Sequence, residues 1–120
     1  MTGTLSPSLA MDRERLLFVC SRNQLRSPTG EKVFATSERF EARSRGLRAS
    51  ANRQLSADDV TWADVIFVME SEHKRELLRQ FRQESKGRRI VVLDIPDDYA
   101  FMDPELVELI TAGVRGALGE

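Results

Sequence analysis

Short apolar runs alternate along the chain with longer stretches in which apolar positions recur at helical spacing, a pattern that predicts a parallel sheet covered by helices. The first run, Arg15 to Cys20, reads as a buried strand. A helix is expected from Ser27-Pro28 to about Arg39, with Val33, Phe34 and Phe40 facing inward. A short extended piece, Phe40 to Ser44, follows, and Gly46 marks a turn. Ser56-Ala57-Asp58-Asp59 matches the capping-box pattern of a short helix holding Val60 and Trp62. The third run is Val65 to Met69. Ser71 is the expected cap of the next helix, in which Leu77, Leu78 and Phe81 recur at helical spacing and which Lys86-Gly87 should stop. Ile90 to Leu93 is the fourth strand. An acidic loop, Asp94 to Met102, then leads to the helix start Asp103-Pro104, and Leu106, Val107, Leu109, Ile110 and Val114 line the last helix.

This βαβαβαβα order predicts an α/β fold, a three-layer α/β/α sandwich with a four-stranded parallel sheet. Right-handed crossovers place its strands in the order 2-1-3-4. The chain reverses direction beside strand one, and ligands bind at such a point, outside the carboxyl ends of the strands. Cys20 ends strand one there, and the loop after strand four opens on the same edge.

Composition narrows the class. With 120 residues and 41% hydrophobic content, the chain predicts a single domain over residues 11–120, with Met11 as the start of the fold and residues 1–10 as a small, polar, flexible leader. No apolar stretch approaches the roughly 20 residues that span a bilayer, and the N-terminus lacks a signal peptide's apolar core, so cytoplasmic residence without a membrane partner is expected. One cysteine and one histidine, His73, allow no internal disulfide and are too few for the usual zinc sites, which favours chemistry without a metal or other cofactor. A formal net charge of -1 with 31% charged residues calls for no nucleic-acid partner. The basic cluster Arg39, Arg43, Arg45, Arg48 and Arg53 reads either as a solvated loop or as a bias of the site's rim toward anions.

The candidate chemistry lies in Cys20 and Arg26, six residues apart. Five intervening residues are about enough for a loop whose N–H groups face a shared centre, with the thiol below and the guanidinium fork at the side, an arrangement suited to a phosphate monoester. A lone cysteine at a strand end is usually a small core hydrophobe, and arginine is abundant enough here for the spacing to arise by chance. The context tells against both: a strand runs in, Ser27 can cap a helix, and Pro28 suits its first position.

The stretch Leu17 to Glu31, with Cys20-Ser21-Arg22-Asn23-Gln24-Leu25-Arg26-Ser27-Pro28 at its centre, resembles the opening of the low-molecular-weight protein tyrosine phosphatases, whose phosphate loop (P-loop) reads C-x-G-N-x-C-R-S-P. Ser44-Arg45-Gly46 resembles that family's S-A-G element, Arg53-Gln54-Leu55-Ser56 its A-R-Q-L-T segment, and Ala63 to Met69 its third-strand motif. The resemblance covers most of Leu16 to Leu118. The chain is shorter than typical members, chiefly between Ser44 and Arg53, where the family carries an extra helix and part of the substrate cleft.

The resemblance implies a phosphomonoester hydrolase of the protein tyrosine phosphatase type, with Cys20 as the nucleophile that forms a phosphocysteine intermediate. An ordinary thiol, with a pKa of about 8.5, is only a few per cent ionised at neutral pH, so the loop must activate it. Ser27 is either the donor to the thiolate, as in the family, or the helix cap, or both. Arg26 binds two phosphoryl oxygens in fork geometry, which a lysine copies poorly. Asn23 supports the loop and tolerates a left-handed conformation, and Ser44 hydrogen-bonds toward it. Ser21, Arg22, Asn23, Gln24, Leu25 and Ser27 form the substrate-binding loop, with Tyr99 lining the cleft. The general acid is one of Asp94, Asp97, Asp98 and Asp103. Asp97, in Ile95-Pro96-Asp97-Asp98-Tyr99, is the preferred one because Asp103-Pro104 is also what a helix N-cap requires. Arg22 stands where the family has a glycine, and Leu25 where many members have a second cysteine, which leaves an oxidised Cys20 without an intramolecular partner.

The implied partners are a phosphorylated protein or a small aryl phosphate, with inorganic phosphate or sulfate able to occupy the loop. Two other readings stay open. One is a binding module that holds phosphorylated ligands with little turnover. Another is a phosphoserine phosphatase resembling the RNA polymerase C-terminal-domain phosphatases. Arsenate reductases of related fold need further cysteines, which this chain lacks.

Overall fold

Four strands and four helices follow one another in strict alternation in the computed structural model, which describes residues 13–120. The leader expected over residues 1–10 and the start at Met11 lie outside the described residues. The strands are β1 (Glu14–Cys20), β2 (Phe40–Gly46), β3 (Val65–Val68) and β4 (Arg89–Val92), all parallel, in the order β2-β1-β3-β4. The helices are α1 (Arg26–Phe34), α2 (Ala57–Trp62), α3 (Ser71–Gln80) and α4 (Pro104–Ala117). None of the described helices is long and apolar enough to cross a membrane.

The central strand β1 is covered on both faces, which is why its sequence is continuously apolar rather than alternating. Leu16, Phe18 and Cys20 face one layer with Phe67, where α1 contributes Phe34 and α4 contributes Leu106, Ile110 and Val114. Leu17 and Val19 face the other with Ile66 and Val68, where α2 contributes Val60 and α3 contributes Leu77. Phe18 stacks between Phe34 and Phe67, with ring centroids 5.8 and 5.4 Å away. Gly30 lets α1 lie this close to β1, since a Cβ there would sit 2.6 Å from the Phe18 ring.

Several boundaries differ from the sequence expectation for identifiable reasons. α1 ends at Phe34 rather than near Arg39. Ser37 Oγ accepts from the Arg39 N–H, an alternative to helical hydrogen bonding, and Arg39 C=O accepts from Glu14 N–H as the chain enters β2. β2 runs two residues beyond Ser44 because its pairing with β1 continues to Cys20 opposite Gly46. Glu70, not Ser71, is the N-cap residue of α3. That helix ends at Gln80, and turns carry the chain on to Gly87, whose φ of 74° only glycine adopts freely. Asp103 caps α4 through its carboxylate, which accepts from the Glu105 N–H at 2.8 Å, with Pro104 in the first turn.

Candidate active site

The loop after β1 closes a cavity of about 340 Å³ lined by Cys20, Ser21, Arg22, Gln24, Leu25, Arg26, Arg48 and Asp97. It sits at the carboxyl edge of the sheet, where β1 lies between β2 and β3. α1 begins at Arg26, with Leu25 in the N-cap position making no side-chain hydrogen bond. Ser27 is therefore not the cap: it lies one residue inside the helix, and its hydroxyl faces Cys20 Sγ at 3.0 Å. Asn23 Nδ2 donates to Ser27 Oγ at 3.0 Å, so the single Ser27 proton is left to choose between the sulfur and the Arg45 carbonyl, 3.4 Å away.

Asn23 is the pivot of the loop. Its φ of 56° is left-handed, a conformation asparagine tolerates better than most residues. Its amide also donates to Ser44 Oγ at 2.9 Å, and Ser44 in turn donates to Glu31 Oε1 at 2.5 Å. Arg53 closes this ring, bonding Glu31 at 2.7 Å and Ser44 at 3.0 Å. Asn23 and Ser27 are thus buried beneath the loop, while Ser21, Arg22, Gln24 and Leu25 line the cavity.

Arg26, 4% exposed, is held from three directions. Nη1 donates to Glu70 Oε2 at 2.5 Å and to the Ile95 carbonyl at 2.7 Å, and Nε lies 3.6 Å from Asp97 Oδ1. The hydrogen bond from Arg26 holds the Glu70 carboxyl below its ordinary range. Of the candidate acids, Asp97 lines the cavity, whereas Asp103 is committed to the α4 N-terminus. Tyr99 does not line the cavity. It packs against the core, and its hydroxyl donates to Glu105 Oε2 at 2.9 Å, a bond that raises the pKa of the phenol.

Two residues of this site carried no sequence signal of their own. Glu70 follows Met69 at the exit of β3, a position visible only once β3 is known to lie beside β1. His73, noted in the sequence only as too little for zinc, is buried and donates from Nε2 to Ser21 Oγ at 3.1 Å while Nδ1 accepts the Glu70 N–H at 3.1 Å. Burial lowers the pKa of His73, and the Arg26 charge lowers it further against the opposing carboxylates of Glu70, Glu72 and Asp97. Since the folded protein resists protonating His73 more than the unfolded chain does, its contribution to stability is complete above the ordinary value near 6.5 and is lost as pH falls below it. The unfolding free energy measured between pH 8 and 5 should therefore fall on the acid side, by at most about 1.4 kcal/mol per pH unit for one proton. His73→Asn should flatten that slope, and a slope unchanged in the variant would discard His73 as its origin.

The basic cluster is mostly spoken for. Arg43 and Arg45 pair with the buried carboxylate of Asp59, Arg39 with Glu120, and Arg53 with Glu31. Only Arg48 of the five reaches the cavity, so the cluster is neither a free loop nor a continuous rim.

No protein-family model matches the chain, and no curated protein sequence matches it. Solved structures do. A low-molecular-weight protein tyrosine phosphatase from Streptococcus pyogenes superposes with a TM-score of 0.71 at 20% identity, over 88% of this chain and 91% of that one. Wzb from Vibrio vulnificus, solved in complex with benzylphosphonate, gives 0.69 at 24% identity, over 89% and 98%. The YwlE arginine phosphatase from Geobacillus stearothermophilus gives 0.68 at 20% identity, over 88% and 93%. The chain has the fold of the low-molecular-weight protein tyrosine phosphatases.

Proposed function

We infer that the protein is a phosphomonoester hydrolase of the protein tyrosine phosphatase type, working through a phosphocysteine intermediate. The observation that carries this reading is Cys20 Sγ within 3.0 Å of Ser27 Oγ at a cavity that Arg26 and Asp97 also line. The likeness in fold to phosphatases supports it. A phosphate in the loop takes up the N–H groups and the edge of Arg26 that Glu70 and Ile95 do not use. Occupying that edge draws Arg26 Nε away from Asp97 and frees the carboxyl for proton transfer.

Cys20 attacks as the thiolate: the S–P bond forms, the ester P–O bond breaks, and the leaving oxygen takes the proton from Asp97. Water then attacks phosphorus, gives its proton back to Asp97, and the S–P bond breaks to release phosphate and restore the thiolate. Nothing in these two steps requires a metal.

Purified protein should hydrolyse p-nitrophenyl phosphate in the presence of a chelator, with inhibition by vanadate. Asp97→Asn should lower kcat about 10²-fold or more for a poor leaving group. Asp103→Ala should instead cost about 1 kcal/mol of stability through the lost cap with little loss of rate. A larger rate loss at Asp103 in stable protein would move the acid there. An inactive wild type that still binds phosphate would favour a binding module.

A further inference from the structure

We propose that the site selects phosphomonoesters carrying a second anionic group close to the reacting phosphate, which Arg22 and Arg48 recognise together; this rests on the phosphatase reading above. Both arginines are exposed, both line the Cys20 cavity, and neither side chain makes an ion pair or hydrogen bond among the described residues. The other arginine of the cavity is different. Arg26 is buried and partly neutralised by Glu70 and Asp97, and it belongs to the reacting phosphate.

Backbone bonds hold the two free arginines in place. Beyond Gly46 the chain stays against the phosphate loop: Leu47 N–H donates to Cys20 C=O at 3.0 Å, Arg48 N–H to Ser21 C=O at 2.9 Å, and Asn52 N–H to Arg22 C=O at 3.1 Å. Asn52 Nδ2 adds a bond to Asn23 C=O at 2.9 Å. At Gly46 a Cβ would lie 2.9 Å from the Arg22 carbonyl carbon, so the close approach of the two segments requires glycine. The short connection from β2 to α2 therefore brings Arg48 against the loop instead of standing away as a separate wall.

Two unpaired guanidinium groups at one mouth repel each other and gain from a shared anion. The phosphate itself is already served by the loop N–H groups and Arg26, so the anion that satisfies them is a second one on the same substrate. It lies on the Arg22 side of Arg48, because the adjoining cavity of about 490 Å³, which shares Ser21 and Arg48, carries Glu72 and Glu76. The positive charges of Arg22 and Arg48 disfavour a cationic leaving group such as that of phosphoarginine.

The recognised chemistry, a carboxylate or phosphate beside a phosphoester, occurs both in small metabolites and in acidic phosphopeptides. The test compares kcat/KM for 4-carboxyphenyl phosphate with that for phenyl phosphate, and for phosphotyrosyl peptides flanked by Glu with that for the same peptides flanked by Gln. Each ratio is measured in the wild type and in Arg48→Gln, so that intrinsic reactivity cancels. The wild-type ratio should exceed the variant ratio about tenfold in at least one arm and shrink at high salt. A gain confined to the first pair assigns a small molecule, and a gain in the peptides assigns an acidic protein segment. Equal ratios in wild type and variant in both arms would overturn the proposal. Should the wild type hydrolyse none of these, calorimetry on the same two proteins with 4-carboxyphenylphosphonate and phenylphosphonate decides it separately. An Arg48-dependent affinity ratio near tenfold would then uphold the anion site while the hydrolase reading falls, and a ratio near one would end both.

Discussion

Cys20→Ser should abolish hydrolysis of p-nitrophenyl phosphate, with kcat reduced by at least about 10⁴-fold, while phosphate still binds. The two halves of this expectation have different sources. A serine hydroxyl stays protonated at neutral pH and is a poor nucleophile without a general base, and no base touches this position: the neighbour at 3.0 Å is the hydroxyl of Ser27. The cradle proposed for phosphate, loop N–H groups and Arg26, by contrast loses none of its members to the substitution. The fold should survive as well. Cys20 is buried, and its replacement exchanges sulfur for a smaller oxygen that can hydrogen-bond Ser27 in the sulfur's place. Initial rates, phosphate calorimetry and a thermal unfolding midpoint measured on one preparation separate these effects. Rates near those of the wild type would rule Cys20 out as the nucleophile.

Arg26→Lys should lower kcat/KM by about 10³-fold, with the larger share in kcat, even though the charge is kept. An ammonium is a point donor, whereas Arg26 does two jobs with one planar group: Nη1 ties the loop to Glu70 and to the Ile95 carbonyl, and the remaining edge faces the cavity. A lysine that satisfies Glu70 leaves the transition state without its fork, and one that reaches the phosphate leaves Glu70 and Ile95 C=O unpaired. The second alternative carries a stability cost of about 1–3 kcal/mol, since the Ile95 carbonyl is buried. Activity within tenfold of the wild type would mean that charge alone suffices and that the planar geometry is incidental.

These expectations differ in how far they could be read without coordinates. Cys20, Asn23, Arg26 and Ser27 fall within eight consecutive residues between a strand and a helix, so their proximity is a local property of the chain. Ser27 shows the limit even there: as a serine before a proline it reads as an N-cap, yet α1 starts at Arg26, two residues before Pro28, and turns the Ser27 hydroxyl to the sulfur. Asp97 and Asp103 are equally acidic and six residues apart, and only the path of the loop after β4 sends one to the cavity and the other to a helix end. Tyr99, expected at the cleft, turns instead to Glu105, a partner six residues along in the first turn of α4.

Hydrophobic periodicity by itself determined the number and order of elements, and handedness then constrained the strand order. Both follow from rules that act over a few residues or apply to every chain of L-amino acids. The lone thiol, the arginine six residues on and the asparagine between them likewise follow from local spacing. Only the tertiary structure decided what surrounds them. Glu70 meets Arg26 across 44 residues, His73 meets Ser21 across 52, and Arg48 reaches the loop because the chain beyond β2 stays hydrogen-bonded to Ser21 and Arg22. Such partners are chosen by sheet order and by the geometry of close packing, which no short window of sequence contains. For that reason the candidate cradle was legible as a motif, while the charges proposed to set its selectivity were not.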